Sequence, residues 1–223
     1  EKEGYILFPY FHSAAAALGF SAPPLVDGLE FEDSNLSPEI AVNYYITDDT
    51  SIYFAYKKAF KSGGIDNSAL PTASLNVNSP SFKGFDALIY DSEEVDGFEI
   101  GLKSNLLDNS MRLNATYYKY EYTDLQVQLF DAAAIQFSTF NAGAVETEGF
   151  EADLLWYTEV PGLTLRGQFA WSDATNTGDF FNTSGVNLRG SKRSYSPEFA
   201  GSLGFSYDAG LSAGWRFNPV SYT

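Results

Sequence analysis

Residues 138–165 read STFNAGAVETEGFEADLLWYTEVPGLTL. From Gly149 onward, Phe150, Ala152, Leu154 and Trp156 fall on every second position, with Glu151 and Asp153 between them. Such alternation is the pattern of a β-strand with one apolar and one polar face. Thr158-Glu159-Val160-Pro161-Gly162 interrupts the run, and the alternation restarts at Leu163. The question this stretch raises is whether the apolar row leans on a protein core or on lipid.

The same parity recurs along the chain. SPEIAVNYYIT places Ile40, Val42, Tyr44 and Ile46 on one side, and SIYFAYKKAF does the same with Ile52, Phe54, Tyr56 and Phe60. Phe98, Ile100 and Leu102 oppose Glu99, Gly101 and Lys103; Met111, Leu113, Ala115 and Tyr117 oppose Arg112, Asn114, Thr116 and Tyr118. Leu163, Leu165, Phe169 and Trp171 follow, then Phe199, Leu203, Phe205 and Tyr207, and finally Leu211, Trp215 and Phe217. Period-2 counting predicts about eight strands and no convincing helix.

Composition narrows the function. The 223 residues carry 13 Lys plus Arg against 29 Asp plus Glu, a formal charge of -16. That excludes a general electrostatic grip on nucleic acid, which needs a basic surface. Cysteine is absent and His12 is the single histidine, so disulfides, thiolate sites and multi-histidine metal sites are excluded. No run approaches the ~18 apolar residues of a membrane helix. A transmembrane barrel alternates polar and apolar residues, so an unremarkable mean hydropathy is compatible with one.

Two features favour a lipid-facing wall. The face opposite the apolar rows is small and polar (Arg, Asn, Thr, Gln, Gly, Ser), too wet for a filled core. The connections also alternate: short at 47–50, 107–110, 158–162 and 208–210, long at 61–93, around 131–136 and at 175–195. Transmembrane barrels have short periplasmic turns and long extracellular loops. The segments 112–129 and 140–157 exceed the ~9–11 residues that cross a bilayer, so their excess is expected to project on the long-loop side. There Lys119, Glu121, Glu146 and Glu148 take the nominally lipid-facing parity. Tyr44, Tyr56, Tyr117, Trp156, Trp171, Tyr207 and Trp215 are candidates for interfacial girdles.

Three blocks carry a family resemblance. TDDTSIYFAYKKAFKSGG, then EEVDGFEIGLKSNLLDNSMRLNATYYKYEYTDLQVQ, then NAGAVETEGFEADLLW stand in the order and spacing of the C-terminal half of the barrel in TonB-dependent outer-membrane receptors. Together they cover residues 36–207, and the chain resembles this family. The resemblance implies an all-β fold, an antiparallel transmembrane β-barrel of about 22 strands of which this chain supplies about eight. It implies a gated importer of the outer membrane in which a plug domain fills the barrel. The TonB-ExbB-ExbD complex would supply energy, and a ferric siderophore would be the most usual substrate, with cobalamin, haem and saccharides less usual. Residues 1–223 are then expected to be a partial barrel domain, with the plug domain and the barrel C-terminus absent from the sequence. A small outer-membrane barrel with a structural or adhesive role is the alternative, and a soluble saccharide-binding sandwich is a third reading.

No residue is assigned a catalytic, cofactor or metal role, and no enzyme activity is expected. KSGG at 61–64 lacks the spacing of a phosphate loop and a following helix. Asp86, Asp91, Glu93, Glu94 and Asp96 lack the spacing of an EF-hand and read as a charged extracellular loop. A cation bridge from them to lipopolysaccharide phosphates is the sharper reading. Glu151 and Asp153, two apart on a strand, are expected to share the lumen side. Asn114-Ala115-Thr116 matches a glycosylation sequon inside a strand, and His12 reads as a loop residue. The resemblance implies ligand contacts from the plug apices and the long loops 61–93 and 175–195, which hold Phe82, Phe85 and Tyr90 in the first and Phe180, Phe181, Arg189, Lys192 and Arg193 in the last. Aromatic and cationic groups suit an anionic chelate; ordinary rim residues are the competing reading.

Overall fold

The computed structural model describes residues 2–7, 25–66, 88–131, 136–182, 184–210 and 216–217. Seven strands form one sheet: β1 (Glu39–Thr47), β2 (Thr50–Lys61), β3 (Glu93–Leu106), β4 (Met111–Thr123), β5 (Ala144–Tyr157), β6 (Leu163–Asn176) and β7 (Phe199–Tyr207). Each pairs antiparallel with its sequence neighbours, so spatial order equals chain order. The sheet is an open wall whose outer strands, β1 and β7, each have one neighbour within it.

Register carries the alternation across the whole wall. Val42, Phe54, Ile100, Tyr117, Phe150, Trp171 and Phe199 are successive partners from β1 to β7. A shift of one residue on any strand would put its polar set into this row, so the match of seven strands fixes the pairing. Rings interleave diagonally along it: Phe54 with Phe98 (6.2 Å), Phe98 with Tyr117 (6.1 Å), Phe150 with Phe169 and Phe169 with Phe199 (both 6.4 Å).

None of the described residues covers this face. Among the described residues only Ala55, Leu88, Ala142 and Val145 are buried apolar side chains, while Ile40, Leu203 and Phe199 are 63–68% exposed. Large contiguous apolar surface is not left in water by folded proteins. The apolar row therefore has the form of a surface made for lipid, and the question raised by residues 138–165 is answered by its exposure: the described residues place no core behind it. Among the described residues no helix is long and apolar enough to cross a membrane, which bears on helices alone.

The connections sort by length onto the two ends of the wall. β1–β2, β3–β4 and β5–β6 close through residues 48–49, 107–110 and 158–162. Leu107, Asp108 and Asn109 all have positive φ (53°, 55° and 66°), and the turn is held by Ser110 N–H and Oγ–H donating to the Leu107 carbonyl (3.0 and 2.7 Å). Asp and Asn tolerate this region, as few other side chains do. Gly162 (φ 82°) turns the third connection. At the opposite end lie the long connections 62–92, 124–143 and 177–198.

Seven of the expected strands stand in the wall; the run at 211–217 mostly falls outside the described residues, and Ala209–Gly210 pairs with Arg216–Phe217. The structure corrects two expectations. Glu93, Glu94 and Asp96 belong to β3 rather than to a loop. The overlong strands do not run straight on. They break at Asp124 (φ 51°) and Gly143 (φ 53°) and resume as a separate ribbon, Gln126–Asp131 with Gln136–Asn141.

Candidate functional site

The polar face is the candidate surface, because alternation sends every second side chain of the wall toward it. Near the long-loop end it forms a hollow of about 540 Å³ lined by Tyr53, Tyr118, Tyr120, Tyr122, Glu99 and Glu151, among others. The side chains that frame it are tied to one another. The Tyr120 hydroxyl donates to Glu99 Oε1 (2.5 Å), Lys57 Nζ pairs with the same oxygen (3.1 Å), and the hydroxyls of Tyr53 and Thr116 meet at 3.0 Å. Sequence reading had placed Tyr118 on this side; the alternate tyrosines at 118, 120 and 122 were the signal for the rest.

Nearer the tight turns, Asn114 donates to both oxygens of Asp153 (3.1 Å each). Glu151 and Asp153 do share the polar face, as two residues apart on β5 requires, and each lines a hollow there. Asn114, the residue of the sequon, lies within β4 and is half-buried.

The loops above are fastened by a few amides. Gln126 Nε2 donates to the carbonyls of Ser62 (3.0 Å) and Asp91 (3.1 Å), and its backbone N–H donates to Glu93 Oε2 (2.8 Å). Asn141 Nδ2 donates to the carbonyls of Asp91 (2.9 Å) and Asp124 (2.7 Å), and its Oδ1 accepts from Asp91 N–H (2.7 Å). Both ends of the first long connection are thereby pinned to the neck of the 126–141 ribbon. Thr139 N–H donates to the buried Asp66 (2.7 Å), a further link between the two. The last connection joins them through Thr177 N–H to the Ala144 carbonyl (2.8 Å). Sequence reading missed Gln126 and Asn141, since no local pattern marks an amide that bridges residues about 65 positions away.

The last connection holds three of the expected cations. Arg189 Nη1 lies 3.5 Å from Asp179, and Lys192 pairs with Asp173 and with Glu198 (3.2 Å). Arg193 sits over the Phe180 ring at 6.0 Å. A hydrogen bond from Asn187, with help from Arg189, holds the Asp179 carboxyl below the ordinary carboxylate range; the bond to Asp173 pushes the Lys192 ammonium up. Phe181 is exposed.

In the first connection Tyr90 packs its ring on Gly64, while Phe82, Phe85 and Asp86 lie outside the described residues, as do His12 and Trp215. The KSGG segment cradles no anion: Gly63 N–H already donates to Asp33 (3.2 Å). The acidic tract is dispersed. Glu94 meets Lys58 (2.8 Å) and Asn35 (2.6 Å), Asp96 accepts from Tyr56 (3.2 Å), and among the described residues no acidic cluster could hold a metal ion.

A wall with one lipid-type face, one polar face and length-sorted connections narrows the possible families to membrane barrels. The family model described as TonB dependent receptor-like, beta-barrel, matches residues 12–223. The chain belongs to the TonB-dependent receptors. Among solved receptors, the ferric yersiniabactin uptake receptor FyuA from Yersinia pestis matches with a TM-score of 0.60 at 18% identity, over 82% of this chain and 24% of that one. The ferripyoverdine receptor of Pseudomonas aeruginosa gives 0.55 at 16%, over 89% and 23%. The ferric-catecholate import receptor Fiu from E. coli K12 gives 0.55 at 21%, over 86% and 25%. At these identities the likeness establishes the fold of the receptor chain, which spans about a quarter of the length of the receptors it matches. A comparison with curated proteins returns no match.

Proposed function

We propose that this receptor imports a ferric siderophore across the bacterial outer membrane, with residues 39–207 forming part of the barrel wall and of its extracellular mouth. The observation that carries the proposal is the pairing of a continuous apolar row on one face with a polar, tyrosine-lined hollow on the other, beneath loops fastened together at one end. Such a wall separates lipid from an aqueous passage. The family to which the chain belongs and the siderophore receptors that share its fold point to iron chelates as cargo.

In this reading the apolar row contacts outer-membrane lipid and lipopolysaccharide, the polar face surrounds a plug, and the TonB-ExbB-ExbD complex drives passage. The receptor catalyses no chemical step. The test is a deletion strain under iron limitation, with uptake of radiolabelled ferric chelates measured with and without a working TonB. Loss of uptake of at least one chelate, restored by the intact gene and abolished without TonB, is the expected result. Unchanged uptake across the chelates would sink the proposal.

A further inference from the structure

Three cations of the last connection stand within five residues of one another, and the structure separates them. Lys192 is bridged to Thr175, which sends its side chain to the apolar side of β6, where Asp173 and Glu198 neutralise it. Arg189 has Asp179. Arg193 follows Lys192 and turns to the opposite side, its N–H donating to the Ala174 carbonyl (2.8 Å). Ala174 lines the tyrosine hollow, so Arg193 stands at the rim of that hollow on the polar side of the wall.

The guanidinium is placed but little engaged. Its Cζ lies over the Phe180 ring, 6.0 Å from the centroid, and its one hydrogen-bond acceptor among the described residues is Asn176 Oδ1, at a long 3.5 Å. A guanidinium offers five N–H donors, so most of the fork is uncommitted. The support beneath it is rigid. Asn176 is 3% exposed, and its Nδ2 donates to the Ser191 carbonyl and hydroxyl (3.1 Å each). Arg193 itself is half-buried, and among the described residues no carboxylate forms an ion pair with it, unlike Arg189 and Lys192. A fork backed by an aromatic ring keeps its donor edges free for an anion.

We propose that Arg193 is an anion-binding contact at the mouth of the passage, placed to grip a negatively charged ferric chelate through charge-assisted hydrogen bonds. The inference rests on the import reading and deepens it: the preferred cargo is anionic, and this guanidinium reads the charge. Arg189 and Lys192, already neutralised, do not.

The test uses the full-length receptor in outer-membrane vesicles with two probes, a trianionic ferric tris-catecholate and an uncharged ferric tris-hydroxamate. Binding is compared for wild type, Arg193→Gln, Arg193→Lys, Arg189→Gln and Lys192→Gln, with limited proteolysis of the loop as a check on its fold. Expected is a loss of about ten- to hundred-fold in catecholate affinity for Arg193→Gln, the worth of a hydrogen bond to a charged group. Arg193→Lys should recover part of it, since it restores the charge but not the planar fork. Hydroxamate binding, proteolysis and the other two variants should change far less. Equal catecholate binding by Arg193→Gln overturns the inference, as does a matching loss for both probes with new proteolytic sites, which would mark a purely structural arginine. A wild-type receptor that binds only the uncharged probe overturns the inference and leaves import standing. One that binds neither probe, in a strain whose deletion leaves chelate uptake intact, overturns both.

Discussion

Tyr117 donates its hydroxyl to Glu148 Oε2 across 3.0 Å, where two neighbouring strands change character together. Below this bond the outward positions are apolar: Met111, Leu113 and Ala115 on β4, and Phe150, Ala152, Leu154 and Trp156 on β5. Above it they are charged, and Lys119 pairs with Glu146 at 2.9 Å. On β2, β3 and β6 the same row first carries a charge at Lys58, Asp96 and Asp173. A carboxylate is costly in hydrocarbon, so the row of switches marks where the lipid-type band ends.

Position along a strand should therefore decide the cost of a charge. Arginine at Leu154, inside the band, is expected to destabilise the receptor in vesicles by about 2–4 kcal/mol, and arginine at Glu148 by only about 0–1 kcal/mol. Denaturant titration of the receptor folded into vesicles measures both. Equal costs would remove the lipid assignment of this face.

The amide clamp predicts a loop defect without a wall defect. Gln126→Ala removes the donors to Ser62 and Asp91, and Asn141→Ala removes those to Asp91 and Asp124. Each lost bond is worth about 0.5–1.5 kcal/mol. Hydrogen exchange over the flanks of the 62–92 connection should speed up in either variant while exchange in β3 and β4 stays slow. Because both side chains hold Asp91, the double variant should cost less than the sum of the singles. Strict additivity would show that the two amides act separately.

These contrasts explain what the sequence could reveal. The wall was legible because register and alternation are one-dimensional: Phe150, Ala152, Leu154 and Trp156 carry their own face, and a Pro161-Gly162 turn carries its own reversal. The length sorting of connections was legible for the same reason. Contacts between loops were not, since Gln126 and Asp66 act through partners far along the chain. Nor was the pairing state of the cations. Arg189, Lys192 and Arg193 look alike in sequence, and only the Thr175–Lys192 bridge decides which points where. Glu93, Glu94 and Asp96 read as loop because charge usually signals solvent, whereas here β3 continues above the apolar band.

Acid should loosen the last connection locally. The Asp179 carboxyl is held below its ordinary value of 3.8 by the Asn187 hydrogen bond first and by Arg189 second. A depressed carboxyl contributes stability above its unfolded value and loses it as pH falls through the lower folded value. Exchange of the amides around 179–189 should thus accelerate only below about pH 4. In Asn187→Ala the carboxyl should titrate nearer 3.8 and the acceleration should begin at higher pH. An Asp179 titration identical in the two proteins, followed by carboxyl NMR, would discard the role of Asn187.

The same substitution should have opposite effects at two glycines of one hairpin. Gly149 faces the polar side, where an added Cβ would lie 2.5 Å from the Tyr118 ring and 2.6 Å from the Trp171 carbonyl oxygen. The ring could swing away, but the carbonyl belongs to the paired backbone of β6 and could not. Gly149→Ala is expected to cost about 1–3 kcal/mol by overpacking. It should also push Tyr118 into the hollow it lines, so chelate binding should fall along with stability. Gly167 faces the apolar side, and its added Cβ would meet only Leu154 and Leu203, both at 3.9 Å, an ordinary contact. With no strain to offset it, Gly167→Ala should stabilise β6 by up to about 0.5–1 kcal/mol, the usual penalty for glycine within a strand. Denaturant titration of both variants in vesicles gives the two signs. A Gly149→Ala receptor as stable as wild type would mean that Tyr118 and β6 pack less closely here than their distances require.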